Sequence, residues 1–180
     1  MRVFVAVDIP KNIREKIKKL QKKIPEFKGK FTEAENLHLT LKFLGNVNEE
    51  KIELVKEKLR SIKIKKFESV IDEIGFFDNR RSDKYTKQIV IWLHMANCEE
   101  LQKEIDEKLS DLFEKEKRFM GHLTIARVKD VKNKKEFLGE LNEIKLDKLK
   151  FLVENFKLKK SVLSREGPAY EDISIYNTIK

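Results

Sequence analysis

The 180-residue chain has few of the residues that cross-link a polypeptide or anchor it in a membrane. Cys98 is its one cysteine, so an internal disulfide is impossible and a thiol-based metal cage would need other ligands. No uninterrupted apolar stretch approaches the roughly 20 residues of a membrane span. The opening apolar segment is too short for the core of a signal peptide. We therefore expect a cytoplasmic protein that does not enter a membrane.

Histidine is also scarce, with three in the chain, but two of these lie in matching contexts. A His-Leu-Thr-aliphatic tetrapeptide occurs at residues 38–41 and again 84 positions later, at 122–125. Residues two apart in a β-strand share a face, so His38 and Thr40 point the same way, as do His122 and Thr124. Each copy predicts a strand with a core side and a side that carries an imidazole beside a hydroxyl.

Strict alternation along the first copy assigns its other residues to the same two faces. Lys42 would join His38 and Thr40 on the polar face, where its charge would attract an anionic substrate. The predicted core face consists of Leu37, Leu39, Leu41 and Phe43.

Two such strands facing each other would place two imidazoles and two hydroxyls around one cavity. Near neutral pH one imidazole can be protonated and the other free, which is what paired general acid and general base catalysis requires. Threonine hydroxyls can hold the non-bridging oxygens of a phosphate. A single His-x-Thr also fits an ordinary half-buried histidine, but two copies favour a shared site built from His38, His122, Thr40 and Thr124.

The charge balance favours a polyanionic partner. Forty Lys and Arg against 31 Asp and Glu give a formal charge of +9, which attracts nucleic acid. Much of this charge is Lys interleaved with Glu on predicted helices, where it also serves simply to solvate a surface. The same composition is typical of proteins adapted to high temperature. Arg80, Arg81 and Lys84, in a predicted hairpin loop, are either RNA-backbone contacts or part of an exposed turn.

The hydrophobic pattern predicts an α+β fold in which helices cover the outer faces of antiparallel sheets. The order of elements around each motif indicates a weak duplication with about 84 residues per unit, with function between the two lobes. Residues between Pro25 and Asn36 are predicted to be a polar connection. Strands are predicted at 2–8, from the first motif to about 43, at 67–75, at 88–94, through the second motif, and at 146–153, 155–163 and 171–177; helices are predicted at about 13–24, 48–61, 98–112 and 134–141.

The chain resembles the 2H phosphoesterase superfamily, and within it the RNA 2′,3′-cyclic phosphodiesterases, also called 2′-5′ RNA ligases. The segments that carry the resemblance are 2–10, 36–45, 121–128 and 161–170. The resemblance implies a single bilobal domain over residues 1–180, with a pseudo-twofold axis and two antiparallel sheets facing a central cleft. It also implies metal-independent hydrolysis of RNA 2′,3′-cyclic phosphate ends to 2′-phosphates, without a cofactor.

The resemblance also implies roles for individual residues. His122 would take the proton from water and His38 would protonate the leaving 3′ oxygen, with the reverse assignment left open. Arg127 is either a phosphate contact or a structural surface residue, and alternation from His122 puts it on the wrong face unless a bulge intervenes. Phe4 is either a ring that stacks on a base or a core residue.

Other functions fit the same residues. The chemistry run in reverse would make a 2′-5′ RNA ligase, and a basic cleft without turnover would make an RNA-end binding protein. A cyclic nucleotide or a 2′-5′ linked oligonucleotide can replace the RNA end as substrate. His94 has no threonine partner, and no familiar zinc spacing is present. We expect a monomer whose partner is RNA with a cyclic phosphate end, tRNA fragments included.

Overall fold

A computed structural model describes residues 1–79, 88–164 and 167–180. Its strands are β1 (Arg2–Asp8), β2 (Lys28–Phe31), β3 (His38–Asn46), β4 (Phe67–Asp78), β5 (Ile89–Ala96), β6 (His122–Asp130), β7 (Leu149–Val153), β8 (Asn155–Ser164) and β9 (Gly167–Asn177). Its helices are α1 (Lys11–Gln21), α2 (Glu49–Arg60), α3 (Glu99–Lys108) and α4 (Lys134–Asn142). The predicted loop residues Arg80, Arg81 and Lys84 lie outside the described residues.

The strands form two antiparallel sheets, which confirms the predicted α+β class. The first sheet has the order β3-β1-β8-β9 and the second β2-β6-β5-β4-β7. We call them the first and second lobes, each with the helices packed on it. The chain crosses between them, because β4 follows α2 but joins the second sheet, and β8 follows β7 but joins the first. The first His-x-Thr strand, β3, pairs with β1. The second, β6, pairs with β5 in the other sheet.

Helical spacing of aliphatic residues places the helices on one continuous core. Ile13, Ile17 and Leu20 of α1 are buried there, as the three- and four-residue spacing predicts. The third helix ends at Lys108 rather than at 112, and the Ser110 hydroxyl donates to the carbonyl of Glu107 at 2.8 Å just beyond it. The same carbonyl also accepts from the Ser110 backbone N–H at 3.3 Å, so the hydroxyl adds a further donor at the helix end.

The segment predicted as a polar connection contains strand β2, and that prediction was wrong. All four residues of β2 are exposed, so no hydrophobic alternation reveals it. Gly29 makes the pairing possible, because a Cβ there would lie 2.2 Å from the Arg127 carbonyl oxygen. Its φ of +158° also disfavours a side chain. Sequence periodicity cannot detect a strand that has no buried face.

A β-bulge interrupts both His-x-Thr strands at the same place. In the β1–β3 pair, Ala6 faces Thr40 but Val5 faces Lys42, so Leu41 is an extra residue. In the β5–β6 pair, Trp92 faces Thr124 but Ile91 faces Ala126, which leaves Ile125 as the extra residue. The two strands have the same sequence of buried and exposed residues along their length. Each bulge reverses the alternation of faces for the residues that follow it.

A buried glutamine stabilises the bulge of the second lobe. The Gln21 Nε2 of α1 donates to the Ile125 carbonyl at 2.9 Å and to the Thr32 carbonyl at 3.0 Å. The Thr32 backbone N–H also donates to Ile125 at 2.9 Å. A buried backbone carbonyl needs such hydrogen-bond partners. Helix α1 therefore helps to hold β6 at its bulge.

Candidate active site

The two predicted catalytic histidines begin the two bulged strands. His38 is the first residue of β3 and His122 the first of β6, and both are half-buried. Although β3 and β6 belong to different sheets, their Cα atoms approach within 8 Å. The fold thus brings the two His-x-Thr motifs onto neighbouring strands, as the duplicated pattern predicts.

Each histidine ring is oriented by a carbonyl two residues before it. The Nδ1 of His38 lies 2.7 Å from the Asn36 carbonyl oxygen, and the Nδ1 of His122 lies 3.0 Å from that of Met120. A carbonyl only accepts hydrogen bonds, so Nδ1 carries the proton in both rings. Nε2 is therefore the atom left for chemistry, as an acceptor in the neutral ring and a donor in the imidazolium.

His38 lies in an aromatic enclosure. Its ring centroid is 5.0 Å from that of Phe4 and 4.8 Å from that of Tyr170, which meets it edge-on. Burial lowers the pKa of His38, and Lys159 acts in the same direction, whereas the Asn36 carbonyl and Asp8 oppose the shift. This histidine therefore releases its proton more readily than a solvated one.

Phe4 is not a platform for a base. Its side chain is 2% exposed, and it packs against His38, Tyr170 and Phe43. The prediction of Phe4 as a substrate-stacking ring is wrong, because its face of β1 is covered by these rings. Its role in the structure is to support the imidazole of His38.

Tyr170 reaches His38 because the first sheet curls. Strand β9 lies at the opposite edge of that sheet from β3, yet the Asn36 Nδ2 donates to the Pro168 carbonyl at 3.0 Å. Tyr170 packs on His38 in the same region. Local sequence gave no sign of this contact, since the two residues are 132 positions apart.

The surroundings of His122 are more open. The Phe77 ring meets it edge-on at 5.4 Å, and its bond to Met120 is solvent-exposed where the corresponding bond of His38 is partly buried. Trp92, which lies opposite Thr124, is buried beside Phe77 with ring centroids 5.2 Å apart. The sequence did not reveal Trp92 as a site residue, because a strand tryptophan is more often part of the core.

The two threonines are available to a ligand. Thr40 and Thr124 are half-buried, each two residues after its histidine on the same face of the strand. Neither hydroxyl has a hydrogen-bond partner within residues 1–79, 88–164 and 167–180. Both can therefore donate to phosphate oxygens without breaking a bond in the protein.

The bulges move Phe43 and Arg127 onto the faces that carry the histidines. Arg127 lies opposite Val90, and Val90 lies two residues from Trp92, which faces Thr124. The bulge that Arg127 needs to share that face is therefore present. Phe43 takes the equivalent place in the first lobe and is 59% exposed. Its prediction as a core residue was wrong, because alternation reverses at Leu41.

Lys42 moves the other way, into the interior. It is 2% exposed and forms a salt bridge with Asp106 of α3. It also donates to the Glu114 carbonyl at 2.7 Å. The prediction that Lys42 shares the face of His38 and Thr40 is wrong for the same reason, since the bulge turns it away from the site.

Two further lysines do lie on the site face of the first lobe, but carboxylates compensate them. Lys157 and Lys159 of β8 each bridge Asp8 and Asp172 at 2.6–2.9 Å. Asp8 is the residue that faces His38 across the β1–β3 pair. These four groups have no counterpart around Arg127, for which the described part of the chain supplies no carboxylate partner.

His94 faces His122 across the β5–β6 pair. Its Nδ1 is 2.7 Å from the Asp72 carboxylate. The sequence distinguished His94 from the other two histidines because it has no threonine two residues later, and the strand register that brings it beside His122 was not predictable.

Within the described ranges, no group of three or more His, Cys, Asp or Glu side chains is arranged to hold a metal ion. No helix there has the length and apolar character needed to cross a membrane.

The sequence matches the family described as LigT-like phosphoesterase over residues 7–85 and 94–170. It is 44% identical over 179 residues to the RNA 2′,3′-cyclic phosphodiesterase of Methanocaldococcus jannaschii, covering 96% of this chain and 98% of that protein. It is 36% identical over 190 residues to the protein of the same name from Archaeoglobus fulgidus, covering 98% and 99%.

Solved structures show the same fold. Escherichia coli LigT complexed with 3′-AMP superposes with a TM-score of 0.78 at 24% identity, covering 99% of this chain and 98% of that one. With two bulged His-x-Thr strands, a family match across most of its length and these close relatives, the chain belongs to the LigT-like phosphoesterase family.

Proposed function

We propose that this protein hydrolyses 2′,3′-cyclic phosphate ends of RNA to 2′-phosphates by general acid and base catalysis from His38 and His122. The observation that carries the proposal is the matched pair of imidazoles on neighbouring strands, each with Nδ1 held by a carbonyl and Nε2 left for chemistry. Relatives named RNA 2′,3′-cyclic phosphodiesterase support the substrate class.

In the proposed reaction, His122 Nε2 accepts a proton from water as the water oxygen bonds to phosphorus. The bond between phosphorus and the 3′ oxygen breaks, and His38 Nε2 donates its proton to that oxygen. The product is a 2′-phosphate beside a free 3′ hydroxyl, and the two rings exchange protonation states. Each proton transfer of this kind contributes about 10²- to 10⁴-fold in rate.

The environments of the two rings support this division of roles. Water reaches the open ring of His122 more easily than the enclosed ring of His38. Burial lowers the pKa of His38, so its imidazolium is a stronger acid than that of a solvated histidine and yields its proton more easily to a leaving alkoxide. The negative charge of the bound phosphate favours the protonated state of His38 before the reaction begins.

Four other side chains are proposed to bind the substrate. The free hydroxyls of Thr40 and Thr124 donate to the non-bridging oxygens, whose charge grows as the fifth bond to phosphorus forms. Arg127, exposed and without a carboxylate partner in the described protein, supplies a guanidinium to the same oxygens. Phe43, exposed on the first lobe, replaces Phe4 as the ring on which the terminal base stacks.

The test is to incubate the protein, in EDTA, with a short RNA ending in a 2′,3′-cyclic phosphate and to identify the terminal phosphate. We expect a 2′-phosphate from the parent and loss of at least 10²-fold with His38→Ala or His122→Ala. His94→Ala is the matched control, since it removes the third histidine and is expected to retain activity.

Adding a second RNA with a 5′ hydroxyl to the same reaction tests ligation. Water at about 55 M outcompetes a second RNA unless that RNA is bound and oriented, so hydrolysis is expected to dominate. Accumulation of a 2′-5′ joined product would make the protein a ligase. Loss of turnover on chelation would contradict the metal-independent mechanism.

A further inference from the structure

Strand β2 is fixed in place although it contributes no buried residue. Its four residues are exposed, and Phe31 at its end is 41% exposed. It has no share in the hydrophobic core, yet Gly29 is fitted closely to the Arg127 carbonyl and the ladder to β6 is regular from Gly29 onward. This arrangement fixes the backbone position of Lys30, which lies between Gly29 and Phe31.

The register places Lys30 directly beside Arg127. The two residues face each other across the β2–β6 pair, and cross-strand neighbours have Cβ atoms about 5 Å apart on one face of a sheet. Arg127 shares its face with Thr124 and His122. Lys30 therefore extends the substrate-facing surface by one strand, from β6 onto β2.

The two neighbouring cations are uncompensated. No carboxylate in the described part of the chain pairs with Lys30 or Arg127, whereas Lys157 and Lys159 of the first lobe are each bridged by two. Like charges side by side on a sheet destabilise one another. An anionic ligand that spans both would relieve that repulsion, and two successive RNA phosphates are such a ligand.

We propose that Lys30 binds the phosphodiester group immediately upstream of the cyclic phosphate while Arg127 binds the cyclic phosphate itself. This inference rests on the proposed function and adds the path of the RNA chain to it. Upstream of the cyclic phosphate, the RNA would leave the site across β2 of the second lobe. Lysines on an edge strand also discourage pairing with other chains, but that role predicts no dependence on the length of the substrate.

The experiment compares two substrates that differ by one upstream phosphate. One is a nucleoside 2′,3′-cyclic phosphate, and the other is a dinucleotide with the same cyclic end. Lys30→Gln is expected to lower kcat/KM several-fold for the dinucleotide and to leave the mononucleotide unchanged. The slope of log(kcat/KM) against log salt for the dinucleotide should fall by about 0.7, the contribution of one phosphate contact in a single strand.

Lys150→Gln is the matched control, because Lys150 lies on β7 at the other edge of the same sheet. It should change neither substrate. Equal effects of Lys30→Gln on both substrates, or none on either, would overturn the assignment of Lys30 while leaving the proposed function intact. A change in sedimentation coefficient on the Lys30→Gln substitution would overturn it in favour of contact between copies of the chain. A parent protein that hydrolyses neither substrate would overturn the proposed function and this inference with it.

Discussion

The two lobes have the same backbone arrangement around the His-x-Thr motif, but different side chains surround it. In both, a bulge follows His-x-Thr, and a carbonyl two residues before the histidine orients the ring. In the first lobe, aromatic rings enclose His38 and carboxylates compensate the nearby lysines. In the second, His122 is open and Arg127 has no carboxylate partner in the described ranges. A duplicated backbone thus fixes where the two proposed catalytic histidines lie, and the residues around each histidine differ.

The residues after the bulges show the same divergence. Position four after the histidine points inward in both strands, and it holds Lys42 in one lobe and Ala126 in the other. Position five points outward and holds Phe43 or Arg127. The site is therefore asymmetric in chemistry, with an aromatic surface on one side and a cationic one on the other.

The largest effect on stability is expected at Lys42. Lys42→Met leaves the buried Asp106 without its cation, which costs about 3–5 kcal/mol. The double variant Lys42→Met/Asp106→Asn should recover part of this loss, since the amide oxygen can still accept from the Glu116 N–H. Urea unfolding measures both. Unchanged stability with a lowered kcat/KM would place Lys42 in the site after all.

Arg127→Ala should reduce kcat by about 10²- to 10³-fold, the cost of removing one donor to a developing oxyanion. Arg127→Lys should recover part of the loss, because it keeps the charge but not the forked geometry. Both variants should melt with the parent, as the exposed side chain has no carboxylate partner among the described residues. A change in activity below threefold would assign Arg127 a surface role.

The variant Phe43→Ala tests whether the exposed ring of the first lobe binds the terminal base. Stacking on one base contributes about 1–3 kcal/mol, so kcat/KM for a nucleoside 2′,3′-cyclic phosphate should fall by about 5- to 150-fold. A methyl riboside 2′,3′-cyclic phosphate has no base and should be turned over equally by the variant and the parent. The same loss on both substrates would mean that Phe43 supports the fold of the site instead.

A smaller effect is expected at Tyr170, which helps to enclose His38. Tyr170→Ala admits water, so the lowered pKa of His38 should rise toward its ordinary value. The limb of the kcat/KM profile that His38 controls should move to higher pH, and Tyr170→Phe should leave it in place. Asp8 and Lys159, the charged groups that act on His38, are unchanged in both. A profile that does not move would show that Tyr170 does not contribute to the burial that lowers this pKa.

Periodicity and turn residues were enough to predict most elements, the α+β class and the two His-x-Thr strands. The bulges were not predictable, because nothing in Leu41 or Ile125 distinguishes an extra strand residue from a regular one. Because the bulge at Leu41 was not predicted, Lys42 and Phe43 were assigned to the wrong faces of their strand. For Arg127, the sequence did indicate that a bulge would be needed to bring it to the site. Contacts across the fold, such as Tyr170 on His38 or His94 beside His122, depend on strand order and sheet curl, which local patterns do not encode.

The division of acid and base work between the lobes is tested most directly by changing the leaving atom. In a substrate whose cyclic phosphate carries sulfur at the 3′ position, the leaving group is a thiolate, which needs no proton because thiols ionise near pH 8.5. His38→Ala should then hydrolyse the sulfur substrate at nearly the parent rate, while His122→Ala stays impaired by about 10²- to 10⁴-fold. Rescue of His122→Ala in place of His38→Ala would contradict the assignment and reverse the two roles.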